Sequence, residues 1–178
     1  MFHRLLSIPF FLLVMSCAEK QPAPFTNGTP VTFDSTQLVI KTGPYKPVRG
    51  QLIYLPVYSN IPYVVSQDQF VADMTAFAAI HNTDLSSSIT LTQVLYFDND
   101  GKPVHDFLKG TPRVVPPLAT VDFPVPLEDK SGAGANFLIE WVATDAVNEP
   151  LIESITAKMT TNQSTAFANQ GKIIREIR

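Results

Sequence analysis

A group of carboxylates beside a tryptophan is the part of this sequence that could carry catalysis. Glu140 precedes Trp141, and Asp145, Glu149 and Glu153 follow a short distance along the chain. Two carboxylates that flank an aromatic platform can hydrolyse a glycosidic bond. Alternation along a strand, however, places Trp141 among core residues and Glu140 on the opposite face. A structural carboxylate is therefore the favoured interpretation of Glu140.

The residue types needed for metal or nucleophilic catalysis are scarce. After the N-terminal segment only His81 and His105 remain, too few for a three-histidine zinc site, and the sequence has no His-Glu-x-x-His and no Gly-x-Ser-x-Gly motif. Asn82-Thr83-Asp84 follows His81, which predicts the end of a strand beside an Asx-type turn. A catalytic dyad of His81 with Asp84 is the less favoured alternative. We predict no cofactor, no metal site and no catalytic residue.

Two loops partly match ligand-binding motifs. Asp98, Asp100 and Gly101 match the start of a calcium loop, but Lys102 stands where an oxygen ligand is needed and no glutamate sits at the twelfth position. Residues 131–136, SGAGAN, could suggest a phosphate cradle, but no Gly-Lys-Ser/Thr follows, and a strand rather than a helix comes next. Both segments are better explained as turns.

The N-terminal segment carries a targeting signal. An apolar run from Leu5 to Met15 follows His3 and Arg4; it is too short to cross a bilayer, which needs about 20 apolar residues, but it suits a signal peptide. Residues 14–17, VMSC, resemble the bacterial lipobox, whose cysteine becomes lipidated. The resemblance implies membrane attachment through lipid on Cys17, the only cysteine in the chain. The alternative interpretation of the apolar run is a buried N-terminal strand that Cys17 follows by coincidence.

Three parts follow from this signal. Residues 1–16 are predicted to be a lipoprotein signal peptide, residues 17–36 a lipidated cysteine and flexible tether, and residues 37–178 a folded domain. The tether is rich in Pro, Thr, Asn and Gly without apolar periodicity. Ala18 stands where an aspartate would retain a lipoprotein in the inner membrane of enteric bacteria. We therefore expect outer-membrane placement if the cell has two membranes.

Composition excludes several classes of protein. The chain has 178 residues, of which 45% are hydrophobic and 16% charged, and this excludes disorder for most of its length. A formal net charge of −3 and the lack of any Lys/Arg-rich run make nucleic acid an unfavourable partner. Fifteen prolines argue against long helices.

Short apolar stretches alternate with turn signals beyond the tether. This pattern predicts an all-β fold, an immunoglobulin-like antiparallel β-sandwich of about 7 to 9 strands. Met74, Ala76, Ala78 and Ile80 are predicted to face the core along one strand. The predicted strands cover residues 38–41, 51–58, 71–81, 89–97, 104–108, 119–125, 136–143, 151–159 and 172–177.

Two further expectations concern individual strands. Ile89, Leu91, Leu95 and Phe97 are predicted to form one core-facing row, with Gln93 among them. The strand that ends at Val125 carries Pro124 and is followed by Pro126, which predicts an edge strand with missing backbone donors; a polyproline-like loop is the alternative. Its core-facing residues are predicted to be Val121, Phe123, Val125 and Leu127.

Several segments are similar to an uncharacterised bacterial family, a domain of unknown function found behind lipoprotein or secretion signals. The most specific is SGAGANFLIEW at residues 131–141, and the resemblance covers roughly Gly50 to Glu176. It implies an envelope protein with an immunoglobulin-like sandwich and brings no activity or site residue. The other segments are residues 76–84, 96–98, 117–120 and 149–150.

Two functions from different classes remain. The first is a non-catalytic binding or scaffolding module that contacts another envelope protein or a surface polymer. Tyrosines of the proline-rich region are its candidate contact residues, because tyrosine offers both apolar area and a hydroxyl group; they are Tyr45, Tyr54, Tyr58 and Tyr63. The alternative is a lipid-anchored hydrolase of envelope glycan that uses Glu140 and a nearby acid.

Overall fold

The computed structural model describes residues 45–127 and 129–177. The predicted signal peptide, Cys17, the tether and the predicted strand at residues 38–41 lie outside these residues. Within the two described ranges every regular element is a β-strand. No helix in these described residues has the length and apolar character that a membrane crossing requires.

Twelve strands account for the described part of the chain, and all strand pairs are antiparallel. The all-β prediction is therefore confirmed, with more strands than the expected 7 to 9. Their bounds are β1 Arg49–Pro56, β2 Asn60–Val65, β3 Asp68–Asp73, β4 Thr75–His81, β5 Ile89–Phe97, β6 Pro103–Asp106, β7 Arg113–Val115, β8 Thr120–Val125, β9 Asn136–Ala143, β10 Leu151–Met159, β11 Ser164–Gln170 and β12 Lys172–Ile177.

Two sheets enclose the core as in a β-sandwich. The larger sheet has the order β12-β1-β9-β5-β6, with β7 also paired to β5, and the smaller has the order β11-β10-β4-β8. Their inner faces form one hydrophobic cluster in which Trp141 and Phe137 of β9 are fully buried. Burial of such large apolar surfaces is the main favourable contribution to folding. An immunoglobulin-like connectivity stays a prediction.

Four strands begin and end at the predicted residues. The bounds of β5, β9, β10 and β12 are those expected from the sequence, and the predicted core row of β4 is buried. The single predicted strand at residues 71–81 is wrong, because Met74 separates β3 from β4. Three strands were not predicted: β2, β7 and β11.

A bulge in β5 overturns the predicted row along this strand. The register with β9 shifts between Leu91 and Gln93. An extra residue reverses the alternation, so Ile89 and Leu91 face the main core, whereas Leu95 and Phe97 join a second cluster with Leu52 and Leu138 on the other face of the sheet.

Strand β8 lies at the edge of the smaller sheet, as Pro124 predicted. Val121, Phe123 and Val125 are buried, and Pro124 is exposed. The prediction for Leu127 is wrong: β8 ends at Val125, and Leu127 lies in a turn with 44% of its surface exposed.

Candidate functional site

The four candidate tyrosines do not form one surface. Tyr45 lines a groove before β1, and Tyr54 is exposed within β1. Tyr58 is half-buried, with its ring centroid 5.9 Å from that of Phe167. Tyr63 lies in β2, beyond the opposite end of β1 from Tyr45. Since a strand of eight residues spans roughly 25 Å, the tyrosines mark separate regions.

Strands β2 and β3 form a hairpin that pairs with no other described strand. We call residues 60–73 the hairpin arm. Its two-residue turn places Ser66 at a φ of +59°. Tyr63 pairs with Phe70 across the strands, and their rings stack with centroids 5.5 Å apart.

The hairpin arm exposes apolar side chains on both faces. Tyr63 and Phe70 are 47% and 45% exposed on one face, and Val64 and Val71 are 64% and 59% exposed on the other. The ionisable groups of the arm are Asp68 near the turn, Asp73 at the base and the Tyr63 phenol. Exposed apolar side chains grouped in this way make the arm a candidate interaction site.

Polar contacts fix the base of the hairpin arm to the sandwich. The Asn60 side-chain amide donates to Asp73 Oδ1 at 2.7 Å, and Lys130 Nζ lies 3.3 Å from the same oxygen. The Met74 backbone N–H donates to the Ser59 carbonyl at 2.8 Å. The arm therefore leaves the sandwich in a defined direction.

A buried carboxylate reinforces this base. Asp129 Oδ2 accepts hydrogen bonds from the hydroxyls of Ser59 at 2.9 Å and Tyr96 at 2.8 Å, and Oδ1 accepts from the Ser131 hydroxyl at 2.7 Å. Burial, and then the charge of Asp129, raise the pKa of the Tyr96 phenol well above its ordinary value. The Tyr96 hydroxyl therefore remains a donor at physiological pH and holds Asp129 in place.

His81 and Asp84 do not form the dyad considered above. His81 Nδ1 lies 2.8 Å from the Thr120 hydroxyl, and Nε2 lies 3.5 Å from Glu153 Oε1. Asp84 instead accepts backbone N–H donors, from Ser86 first and then from Asn148 and Ser87, and these hydrogen bonds lower its pKa to about 2. The carboxylate organises a loop, as the Asx-turn interpretation predicted.

His105 packs at the edge of the core. Its ring centroid lies 4.6 Å from that of Phe107, and burial, followed by the charge of Lys109, lowers the pKa of the imidazole. No group of three or more His, Cys, Asp or Glu side chains in the described residues is arranged to hold a metal ion.

The structure does not bring Glu140 and Glu149 together. Trp141 Nε1 donates to Gln51 Oε1 at 3.2 Å, and Gln51 Nε2 donates to Glu149 at 3.0 Å, so Glu149 lies on the Trp141 side of the larger sheet. Glu140, next to Trp141 in β9, points to the opposite side, where it is 1% exposed and accepts a hydrogen bond from the Thr92 hydroxyl. The carboxylate pair needed for glycan hydrolysis is absent at these positions.

The two glycine-containing loops contact one another. Asp98 accepts hydrogen bonds from the backbone of Asp100 and Lys102 within a turn that connects β5 and β6. Asn99 Oδ1 accepts from the Gly134 N–H, and the Asn99 N–H donates to the Ser131 carbonyl at 3.0 Å. A backbone donor that could have received an anion is thus engaged by a side chain of the neighbouring loop.

Sequence reasoning missed most of the exposed arm. Tyr63 was a candidate, but its partner Phe70 and the valines on the opposite face were not. Pro62 obscured β2, because proline argues against a strand except at an edge. The usable signal was two short β-branched and aromatic runs separated by Ser66-Gln67.

Comparisons with known proteins give a family and no activity. The chain matches the family described as a protein of unknown function (DUF3124) over residues 50–174. No curated protein matches it. Among solved structures, the crystal structure of Thermotoga maritima 1070 is similar at 12% sequence identity and a TM-score of 0.40, covering 72% of this chain and 96% of that one. The expected resemblance over roughly Gly50 to Glu176 is confirmed for a domain of unknown function.

Proposed function

Since the chain belongs to the DUF3124 family, whose function is unknown, we propose its role from its surface. It is a lipid-anchored, non-catalytic module of the bacterial cell envelope that holds a partner protein on its hairpin arm. The observation that carries the proposal is the exposure of apolar side chains on both faces of that arm.

The arm exposes apolar side chains that association would bury. Tyr63, Phe70, Val64 and Val71 each leave roughly half of their surface in water. Complete burial of a Val or Phe side chain is worth about 1.5–3 kcal/mol, so a partner that covers them gains a large hydrophobic contribution. Aromatic residues in such patches are typical anchors of protein interfaces.

Backbone chemistry favours a protein partner over acyl chains. Because β2 and β3 pair only with each other, the outer edge of β3 carries unpaired N–H and C=O groups, and that of β2 carries the same groups except for the N–H missing at Pro62. Hydrocarbon satisfies none of these groups, each at a cost of several kcal/mol. A partner strand satisfies them by adding to the hairpin while its side chains cover one face.

The N-terminal sequence supports the location. The apolar run ending at residues 14–17 and the single Cys17 suit a lipoprotein signal, and the following tether would hold the sandwich away from the bilayer. Such a tether lets the arm reach partners in the envelope. Ala18 favours the outer membrane where there are two.

Site-specific photo-crosslinking tests the proposal. A photoreactive amino acid at Val64 of the full chain, irradiated in intact cells, should give one protein adduct of defined mass. The same amino acid at Leu85, which is 77% exposed in the loop after β4 and so lies beyond the end of that strand opposite the arm, serves as the matched control and should not give it. The partner identified by mass spectrometry is then purified and titrated with the protein.

Phe70→Ser should weaken this purified complex at least tenfold, and Leu85→Ser should leave it unchanged. Val71→Glu, on the other face of the arm, is a second variant that tests the same contact if Phe70→Ser disrupts the hairpin itself. Adducts to lipid alone, identical adducts from both positions, or full affinity of both arm variants would contradict the proposal.

A further inference from the structure

A groove separate from the hairpin arm lies where β1 begins and β9 ends. Its volume is about 320 Å³, near the lower end of the range for small-molecule sites, about 300–1,000 Å³. The Tyr45 ring, the end of β9, the loop before β5 and the loop after β9 form its walls. Most of the lining side chains carry a hydroxyl group, including Ser86, Ser87, Ser88, Thr90 and Thr144.

Several of these hydroxyls have no partner in the described part of the chain. The Ser86 hydroxyl contacts Asp84 at 3.3 Å, and the Thr144 hydroxyl lies 3.5 Å from Asp145. No hydrogen bond within the described residues engages the hydroxyls of Ser87, Ser88 and Thr90. Each hydroxyl offers one donor and two acceptor positions, so the wall can exchange hydrogen bonds with a ligand in both directions.

The serine loop is fixed before any ligand binds. Asp84 Oδ1 accepts the N–H groups of Ser86 at 3.0 Å and Ser87 at 2.8 Å. From the core side, the buried Asn82 amide donates to the Ser87 carbonyl at 2.9 Å. Preorganisation of this kind lowers the entropic cost of binding.

The charge of the groove narrows the ligand class. Among the described residues that line the groove, Asp145 is the ionisable group besides the Tyr45 phenol, and none is Lys, Arg or His. A phosphate or carboxylate ligand would meet a negative charge with no cation to balance it.

We propose that this groove binds a neutral saccharide, most simply a terminal sugar residue of an envelope polymer. Sugar hydroxyls match the donor and acceptor hydroxyls of the loop, and the Tyr45 ring offers a face for the C–H groups of a pyranose. Asp145 accepts hydrogen bonds from two neighbouring sugar hydroxyls. This inference does not depend on the hairpin arm.

Ligand-observed NMR and calorimetric titration test the inference on the full chain in a detergent without a sugar headgroup. The probes are the tetraoses of the chitin, cellulose and amylose series, with glucose 6-phosphate as the charged probe. We expect saturable binding of at least one neutral tetraose and none of glucose 6-phosphate. Tyr45→Ala should lower the affinity roughly tenfold, and Tyr54→Ala, a matched exposed tyrosine outside the groove, should not change it.

A second groove variant, Thr90→Val, removes one hydroxyl at nearly constant volume and is informative even if Tyr45→Ala disturbs the fold. It should lower the saccharide affinity severalfold at an unchanged melting temperature. Phe70→Ser should keep saccharide binding, which separates this site from the hairpin arm. The inference is overturned by lack of binding of all three tetraoses, by equal binding of glucose 6-phosphate, or by full affinity in both groove variants.

Discussion

The contacts of Asn99 indicate a structural role for the glycine-containing loop at residues 131–136. The Asn99 side chain occupies the space beside Gly132 and Gly134, so a Cβ at Gly132 would overlap the Asn99 amide, and one at Gly134 would lie 2.9 Å from Asn99 Oδ1. Gly132 also has a φ of +97°, which disfavours any residue with a Cβ. Two turns that are distant in sequence thereby lock together at the start of β9.

Gly132→Ala should therefore destabilise the domain by about 1–2 kcal/mol from backbone strain alone, with a further loss from the overlap with Asn99. Denaturant midpoints measure this change. Gly110→Ala is the matched control, because Gly110 has a φ of +77° but open space around it. Asn99→Gly should recover part of the loss in the double variant; equal midpoints for Gly132→Ala and Gly110→Ala would refute the packing argument.

Strand β8 shows how an element at a sheet edge is protected. Edge strands carry unpaired N–H and C=O groups that invite pairing with another chain. Pro124 removes one donor, and Asp122 adds an exposed charge to the same strand. In the hairpin arm, Pro62 removes a donor from the edge of β2, but β3 has no proline. This contrast supports the edge of β3 as the binding element.

Pro124→Thr should raise self-association, since it returns an N–H group to the β8 edge. Sedimentation velocity at increasing concentration should show dimers or larger species that the unaltered protein lacks. Pro112→Thr, in an exposed loop, is the control for loss of a proline as such. A monomeric Pro124→Thr protein at every concentration would show that Pro124 does not protect this edge.

At the scale of the whole molecule, the proposed lipid anchor determines which partners the arm and the groove can reach. The thiol of Cys17 is the acyl acceptor in this proposal, and each buried methylene of the acyl chains contributes about 0.8 kcal/mol to membrane binding. In this proposal several chains on one residue would hold the protein at the bilayer, and residues 18–36 would act as a tether that presents the sandwich to the envelope.

Cys17→Ser should leave an uncleaved or mislocalised product. Cell fractionation and intact-mass measurement check this: the unaltered protein should sediment with membranes and carry the mass of the acyl chains, and the variant should not. Ser16→Ala keeps a small residue before the cysteine and should still be lipidated. Identical mass and membrane release for Cys17→Ser and the unaltered protein would contradict the anchor.

The amino-acid sequence alone determined the elements whose cause is local. The alternation of side chains along β4, β9 and β10 indicated the face that the core buries. Pro124 indicated an edge strand, which has no partner on one side. The lone Cys17 after an apolar run supplied the proposed anchor. These signals depend on neighbouring residues, so one sequence is enough to detect them.

Tertiary structure decided whatever depends on residues far apart in the chain. The bulge between Leu91 and Gln93 is set by pairing with β9 and moved Leu95 and Phe97 to the other face of the sheet. The groove unites Tyr45 with the loop before β5 and the end of β9, and Glu140 and Glu149 were separated by the sheet between them. Such placements follow from strand register and sheet order, and local periodicity carries no information about either.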